Sequence, residues 1–193
     1  YLAALQGFHL VRDAINDSTL RQLIVQLLAT EVRPVLPNTP GINPATYGNE
    51  VLQRFANPAV GDQIARLCLD GSSKFPKFLL PTLRGQLRRR GPIRCCTLAL
   101  AGWCRYLGTM DRSELAADPR LDELVPLAIE ALSDPRAFIS YTPVFGPDLP
   151  NTPRFADEFA SSLRLLGELP VPSAIASAIG SDTQDGDATT RQR

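Results

Sequence analysis

The sequence predicts an all-α fold. Apolar residues recur at helical spacing along most of the chain, and no stretch shows the sustained period-two alternation of a half-buried strand. Prolines, glycines and short polar side chains divide the apolar runs where helices commonly begin or end. The 193 residues suit one helical domain over 1–179. A tail over 180–193, rich in Ser, Asp, Thr, Gln and Gly, is expected to be disordered because it has too little apolar surface to bury.

Capping residues delimit the helices predicted in the first half of the chain. Gly7 is the weak point of the first helix, Asp17 or Ser18 caps the second, and Asn43 caps the third. Asn57 caps the fourth, with Pro58 as its first helical residue. Gly91-Pro92 stops the last one, behind a run of three arginines that suits a helix C-terminus. The predicted helices of this half span residues 1–16, 19–33, 44–55, 58–70 and 72–90.

The second half opens with the most apolar helix, which is the candidate for the centre of the core. It covers residues 93–107 and contains Trp103. A polar linker and a Pro/Gly-rich loop separate the later elements, and Thr152-Pro153 caps the last long helix. The remaining segments are predicted as a linker over 111–118, a helix over 119–132, a short turn after Asp134-Pro135, a loop over 142–153, a helix through 155–166 and an apolar piece over 174–179.

Composition excludes several classes of function. The formal net charge is zero, so no global field would collect nucleic acid or an anionic membrane surface. The longest apolar runs fall well short of the ~20 residues that a membrane span needs. No P-loop, G-x-S-x-G elbow or G-x-G-x-x-G fingerprint is present. His9 is the one histidine, and as a lone imidazole it is interpreted as a packed or surface residue rather than a catalyst or a zinc ligand.

The four cysteines bear on the compartment. All lie within amphipathic helical patterns, so they are predicted to be reduced core residues. A reduced set argues for a cytoplasmic location. The chain begins at Tyr1 inside a helical pattern, without an initiator Met, and we expect it to be a C-terminal fragment or an excised domain. The cysteines are Cys68, Cys95, Cys96 and Cys104.

Residues 54–81, RFANPAVGDQIARLCLDGSSKFPKFLLP, contain both lysines of the chain, Lys74 and Lys77, whereas the whole chain has eighteen arginines. Gly71 is predicted to end one helix in left-handed geometry, and Ser72 or Ser73 to cap the next. Lys74 would then open that helix, where the macrodipole disfavours a cation.

The helix break brings two cations towards one elbow. Arg66 lies one turn before the break, so both Arg66 and Lys74 can point into the elbow and hold a ligand rich in oxygen atoms. The alternative is that each cation simply pairs with a nearby acid, such as Asp62 or Asp70.

These residues resemble a known family. The pattern R-F-A-N-P followed by D-x-I-A-R-L-C and D-G-S-S-K-F-P-K-F-L-L-P is similar to the C-terminal domain of the polyol-specific long-chain dehydrogenases, which include mannitol 2-dehydrogenase, D-arabinitol dehydrogenase and the hexuronate reductases. Tyr1 to Asp13, Glu31 to Pro34 and Leu98 to Leu107 also fit this family. The resemblance covers residues 1 to about 170 and implies a multi-helix domain like the C-terminal domain of 6-phosphogluconate-dehydrogenase-like enzymes.

The resemblance implies a role in interconverting a sugar alcohol such as mannitol and its ketose with NAD or NADP and without a metal. The family's Lys-x4-Asn-x2-His motif and its nucleotide-binding Rossmann domain would lie upstream, so the isolated chain is expected to be inactive and to need that N-terminal domain as its partner. Arg66 and Lys74 match the family's contacts to substrate hydroxyls, whereas Lys77 matches none and is read as solvent-facing or structural. Two alternatives stay open: a domain of a hexuronate or sugar-phosphate enzyme, and a stand-alone helical interaction module.

Overall fold

The computed structural model describes residues 1–41 and 43–180, and over these residues the fold is helical without a sheet. One isolated antiparallel bridge joins Leu10 and Gln63. The all-α prediction is therefore confirmed. The helices are α1 Leu2–Leu5, α2 Val11–Asn16, α3 Ser18–Gln26, α4 Pro44–Phe55, α5 Ile64–Leu67, α6 Gly71–Lys74, α7 Leu80–Arg89, α8 Arg94–Thr109, α9 Leu121–Ala131, α10 Arg136–Ile139, α11 Thr142–Phe145, α12 Pro153–Glu168 and α13 Val171–Gly180.

Helix α8 is the centre of the core, as its apolar composition predicts. It packs against α1, α9, α12 and α13. Leu98, Leu100 and Cys104 on α8 are fully buried, because neighbouring helices cover nearly its whole circumference. All four cysteines are buried and none forms a disulfide within the described residues, which agrees with their prediction as core residues. None of the described helices is both long and apolar enough to cross a membrane.

A run of aromatic rings connects the α5–α6 region to this core. The ring of Phe75 lies 4.7 Å from that of Trp103, and Trp103 meets Phe138 edge-on at 5.0 Å. Phe138 continues the run to Phe145 at 5.6 Å. Such offset and edge-to-face contacts add to the free energy gained from burial alone. The region that carries Arg66 and Lys74 is thus packed onto the most buried part of the molecule.

The single helix predicted over residues 1–16 is wrong, because the chain breaks at Gly7. Gly7 has φ +80°, and the N–H groups of Gly7 and Phe8 donate to the carbonyls of Ala4 and Ala3. This is the hydrogen-bond pattern of a Schellman motif, in which a glycine just past the helix adopts left-handed geometry. The residues after Gly7 run extended into the bridge at Leu10 before α2 begins.

The helix predicted over residues 58–70 is also wrong, since only one turn, α5, forms there. Asn57 does not cap a helix; its side chain accepts a hydrogen bond from the N–H of Ala59 and closes a local turn. The chain then pairs with residues 9–11, where the N–H of Ile64 donates to the carbonyl of His9. A long-range pairing has replaced the local helix that the Asn-Pro signal favoured.

The second helix follows its prediction at the start and departs from it at the end. Asp17 caps α3, accepting hydrogen bonds from the N–H groups of Thr19 and Leu20 at 3.1 and 2.8 Å. After Gln26 the helix widens into a π-helical segment, Leu27–Val32, and then tightens into a 3₁₀ turn, Arg33–Val35. Pro34 explains the change, because it cannot donate to the carbonyl of Thr30.

The helix predicted over 72–90 forms in three parts, α6, a π-helical segment over Phe75–Leu79 and α7, and the other helices match their predictions apart from one loop. Asn43 caps α4, the polar linker precedes α9, and α12 begins at Pro153. Residues 142–153, predicted to be loop only, contain the helical turn α11, because Val144 and Phe145 are buried and draw the chain into the core. Residues 181–193 of the tail that is predicted to be disordered lie outside the described residues.

Candidate functional site

The candidate site is the elbow between α5 and α6, where the backbone turns at Asp70. Asp70, with φ 55°, takes the left-handed conformation that was expected of Gly71. Aspartate tolerates this conformation better than most residues. Gly71 instead begins α6. It is needed for packing, because a Cβ at this position would lie 2.3 Å from the hydroxyl oxygen of Tyr1 and 2.9 Å from Nε1 of Trp103.

Tyr1 supports the elbow from beneath. Its hydroxyl donates a 2.9 Å hydrogen bond to the carbonyl of Cys68, just after α5, and its ring stacks on Phe75. Burial raises the pKa of the Tyr1 phenol, with a further contribution from the nearby Cys68 thiol, so the hydroxyl stays neutral and remains a donor. One aromatic side chain thereby fixes the end of α5 against the helix that follows.

The start of α6 is capped from a distance by Asp118. The N–H of Ser72 donates to one carboxylate oxygen of Asp118 at 2.7 Å, and the Ser72 hydroxyl donates to the other at 2.5 Å. The sequence-based capping role of Ser72 or Ser73 is therefore wrong; Ser72 is a donor to the true cap. Asp118 also accepts a hydrogen bond from the N–H of Arg120 at the start of α9. The dipeptide Asp118-Pro119 indicates this local role, but not the contact with α6.

Arg66 stands at the surface of the elbow, held by Asp62. Its Nε donates to Oδ1 of Asp62 at 2.6 Å and its Nη2 donates to Oδ2 at 2.5 Å. The Asp62 side chain is 13% exposed and that of Arg66 is 66% exposed. The hydrogen bonds from Arg66 hold the pKa of Asp62 below its ordinary value, so the carboxylate is charged at neutral pH. This is the acid pairing that the sequence left open for Arg66.

Lys74 reaches back across the elbow to α5. Its Nζ donates to the carbonyl of Leu67 at 3.2 Å, and Leu67 is the direct neighbour of Arg66. A cation near the last carbonyls of a helix is favourable. The structure thus places Lys74 against the residue that follows Arg66, whereas the Arg66 side chain turns back to Asp62, four residues earlier in the chain. Lys77 is exposed one turn later, which agrees with its reading as solvent-facing.

Within the part of the chain that the structure describes, both cations keep donors without an acceptor. Arg66 has five N–H donors, of which two are directed at Asp62, so three remain. Lys74 has three donors and directs one at Leu67, so two remain. The elbow can therefore donate several hydrogen bonds to closely spaced oxygen atoms, such as the hydroxyl oxygens of a sugar or polyol.

Two cavities near the elbow have a different character. One, of about 270 Å³, is lined almost wholly by apolar side chains, among them Phe55, Leu67 and Phe75; neither Arg66 nor Lys74 lines it. An apolar cavity suits a hydrocarbon group rather than a polyol. The second contains exposed His9 beside Gln63 and likewise excludes both cations. Among the described residues, no group of three or more His, Cys, Asp or Glu side chains could hold a metal ion.

Comparison with known proteins places the chain in a family. The model of the mannitol dehydrogenase C-terminal domain matches residues 1–166. The chain is 36% identical over 169 residues to a mannitol 2-dehydrogenase of Phaeosphaeria nodorum, covering 86% of this chain and 29% of that protein. It is 35% identical over 167 residues to mannitol dehydrogenase 2 of Saccharomyces cerevisiae, covering 84% of this chain and 33% of that protein.

Solved structures share the fold. Pseudomonas fluorescens mannitol 2-dehydrogenase, in a ternary complex with NAD and D-mannitol, matches with a TM-score of 0.86 and 28% identity over 93% of this chain and 37% of that one. A substrate-free D-sorbitol dehydrogenase matches with a TM-score of 0.79 and 25% identity, over 90% of this chain and 36% of that one. This chain spans about a third of the length of the relatives that it matches. It belongs to the mannitol dehydrogenase C-terminal domain family.

Proposed function

We propose that this chain is the substrate-binding domain of an NAD-dependent polyol dehydrogenase that interconverts a sugar alcohol such as mannitol and its ketose. The observation that carries the proposal is the elbow itself. Arg66 and Lys74 lie on the two sides of the helix break, each with donors that no described residue accepts, within the most distinctive part of the family pattern. The structural neighbour that holds NAD and D-mannitol supports the same substrate class.

The chain supplies part of the chemistry that this reaction needs. NAD, when bound, accepts the hydride from the alcohol carbon, and an upstream nucleotide-binding domain would hold it. Neither lysine of this chain begins a Lys-x4-Asn-x2-His pattern, so the residue that accepts the hydroxyl proton would also lie upstream. Arg66 and Lys74 would bind hydroxyls away from the reacting carbon and fix the substrate in the geometry that hydride transfer requires.

The cofactor and the compartment are proposed on separate grounds. NAD is the first choice because the structural neighbour holds it; NADP is the alternative, and the choice depends on the upstream domain that would bind the ribose. We assign the elbow no metal, because its donors are cations and divalent ions prefer carboxylate or imidazole ligands. We propose a cytoplasmic location, which is supported by four cysteines that form no disulfide within the described residues.

The test is an assay of the longer protein that carries this chain and its upstream sequence. We expect NAD-linked oxidation of mannitol or a close polyol by that protein, and no turnover by residues 1–193 alone. The upstream reading frame should encode a Rossmann domain and the Lys-x4-Asn-x2-His motif. A reading frame that starts near Tyr1, or a longer protein that turns over neither polyols nor ketoses, would instead favour a helical interaction module.

A further inference from the structure

We propose that Asp62 is a positioning and specificity residue of the elbow. On this proposal it holds the Arg66 guanidinium in one orientation and balances its charge, so that the site prefers neutral polyols to anionic sugar acids. The inference rests on the proposed function, because it concerns the substrate that Arg66 binds. It adds a residue that does not itself touch the substrate but acts through Arg66.

The first support is the geometry of the pair. Asp62 takes the Nε and Nη2 side of the guanidinium, through bonds of 2.6 and 2.5 Å. Side-on pairing of this kind fixes the plane of the group, which a single contact would leave free to rotate. The Nη1 edge is left pointing away from Asp62. An arginine held in this way loses less conformational entropy when a ligand binds.

The second support is the way Asp62 itself is fixed. Its carbonyl accepts a 2.9 Å hydrogen bond from the N–H of Val11, beside the bridge that joins Leu10 and Gln63. Its Oδ1 also accepts a 3.0 Å bond from the N–H of Gln63. With its side chain only 13% exposed, Asp62 is a fixed base beneath a solvent-facing guanidinium.

The third support is the balance of charge. The pKa of Asp62 is lowered by its contact with Arg66, so the two side chains together carry no net charge at neutral pH. Of the two proposed binding residues, Arg66 has its charge balanced by Asp62, and Lys74 carries the remaining positive charge. Hydroxyl groups need donors rather than a net charge, whereas a carboxylate or phosphate would meet the nearby carboxylate of Asp62.

The chain offers a matched control in Arg84 and Asp148. Arg84 donates its Nε to Oδ2 of Asp148 at 2.7 Å and its Nη2 to Oδ1 at 2.9 Å, which is the same side-on arrangement. Asp148 lies in the loop between α11 and α12. Replacing Asp148 by asparagine removes an equivalent charge and equivalent hydrogen bonds without disturbing Arg66.

The experiment compares Asp62→Asn, Asp62→Glu and Asp148→Asn in the longer, active protein. Initial rates are measured for reduction of D-fructose and of D-fructuronate, and for oxidation of D-mannitol, with the melting temperature of each variant. For Asp62→Asn we expect KM for mannitol and fructose to rise about fivefold or more with kcat little changed, because a charge-assisted contact that orients Arg66 is lost. The preference for fructose over fructuronate should fall, and Asp62→Glu should restore it.

The outcomes distinguish a failure of the proposed function from a failure of the role assigned to Asp62. If the unmodified longer protein turns over none of these substrates, the proposed function itself fails. If it is active but Asp62→Asn matches Asp148→Asn in KM and in substrate preference, only the role of Asp62 is overturned. A loss of melting temperature equal in both asparagine variants, together with a KM increase confined to Asp62→Asn, supports positioning over a purely structural role.

Discussion

Replacing Glu31 by alanine is expected to lower the free energy of unfolding of this domain by about 3–4 kcal/mol, because two buried N–H donors lose their acceptor. Glu31 is fully buried. Its two carboxylate oxygens accept hydrogen bonds from the N–H groups of Cys95 and Cys96, at 2.6 and 2.8 Å. These N–H groups belong to the first turn of α8, where the helix has no intrahelical acceptor and a negative charge is favourable.

Asp17→Ala is the control for Glu31→Ala. Asp17 also offers a carboxylate to two N–H groups of a first helical turn, but it is only half-buried and water can replace it. Its loss should cost about 1 kcal/mol. Urea unfolding of both variants measures the difference. Equal losses would contradict the account of Glu31 as the buried cap of the core helix.

Replacing Lys74 by methionine in the longer, active protein is expected to raise KM for a polyol by about tenfold or more, because one charge-assisted hydrogen bond to the substrate is lost. Methionine keeps the apolar stem but removes the ammonium that reaches over the elbow. The KM for the nucleotide should not change, because Lys74 is assigned to the substrate alone. Steady-state kinetics at saturating nucleotide provide the measurement.

Lys77→Met supplies the matched control, since Lys77 is the other lysine of the chain and is exposed. It should leave KM within about twofold of the unmodified value, as surface substitutions usually have little effect. An increase of similar size in both variants would point to a general effect of positive charge. An unchanged KM in Lys74→Met would remove Lys74 from the substrate site.

Local chemistry made the helical framework predictable. The run over 93–107 is apolar on nearly every face, and a helix of that kind belongs in a core; α8 occupies it. Asp17 and Asn43 cap helices because their side chains reach the N–H groups two and three residues ahead. Such signals need no knowledge of distant parts of the chain.

The failures have long-range causes. The Asn57-Pro58 signal is sound locally, but pairing between residues 9–11 and 62–64 takes that segment out of helical geometry. The sequence predicts left-handed geometry for Gly71. In the structure Gly71 is needed because a Cβ would collide with Tyr1, seventy residues earlier. Asp118 caps α6 across 46 residues, and nothing within its own segment indicates this.

The site was predicted in the same uneven way. From the helix break and the position of the lysines, the sequence predicts that Arg66 and Lys74 share one elbow; in the structure Lys74 contacts Leu67, next to Arg66, while the Arg66 side chain is bound by Asp62. The sequence offers Asp62 only as an alternative acid partner for Arg66 or Lys74. Its bidentate geometry and its attachment to residue 11 depend on the fold, so they could not be derived from the four-residue spacing to Arg66 alone.

The most direct test of the central claim is a crystal structure of the longer protein with NAD and mannitol bound. The account predicts hydroxyl oxygens of mannitol within about 2.7–3.2 Å of Lys74 Nζ and of a guanidinium nitrogen of Arg66. Asp62 should stay paired with Arg66 in that complex. Mannitol bound in a catalytic pose that touches neither Lys74 nor Arg66 would contradict the claim that this domain holds the substrate through its elbow.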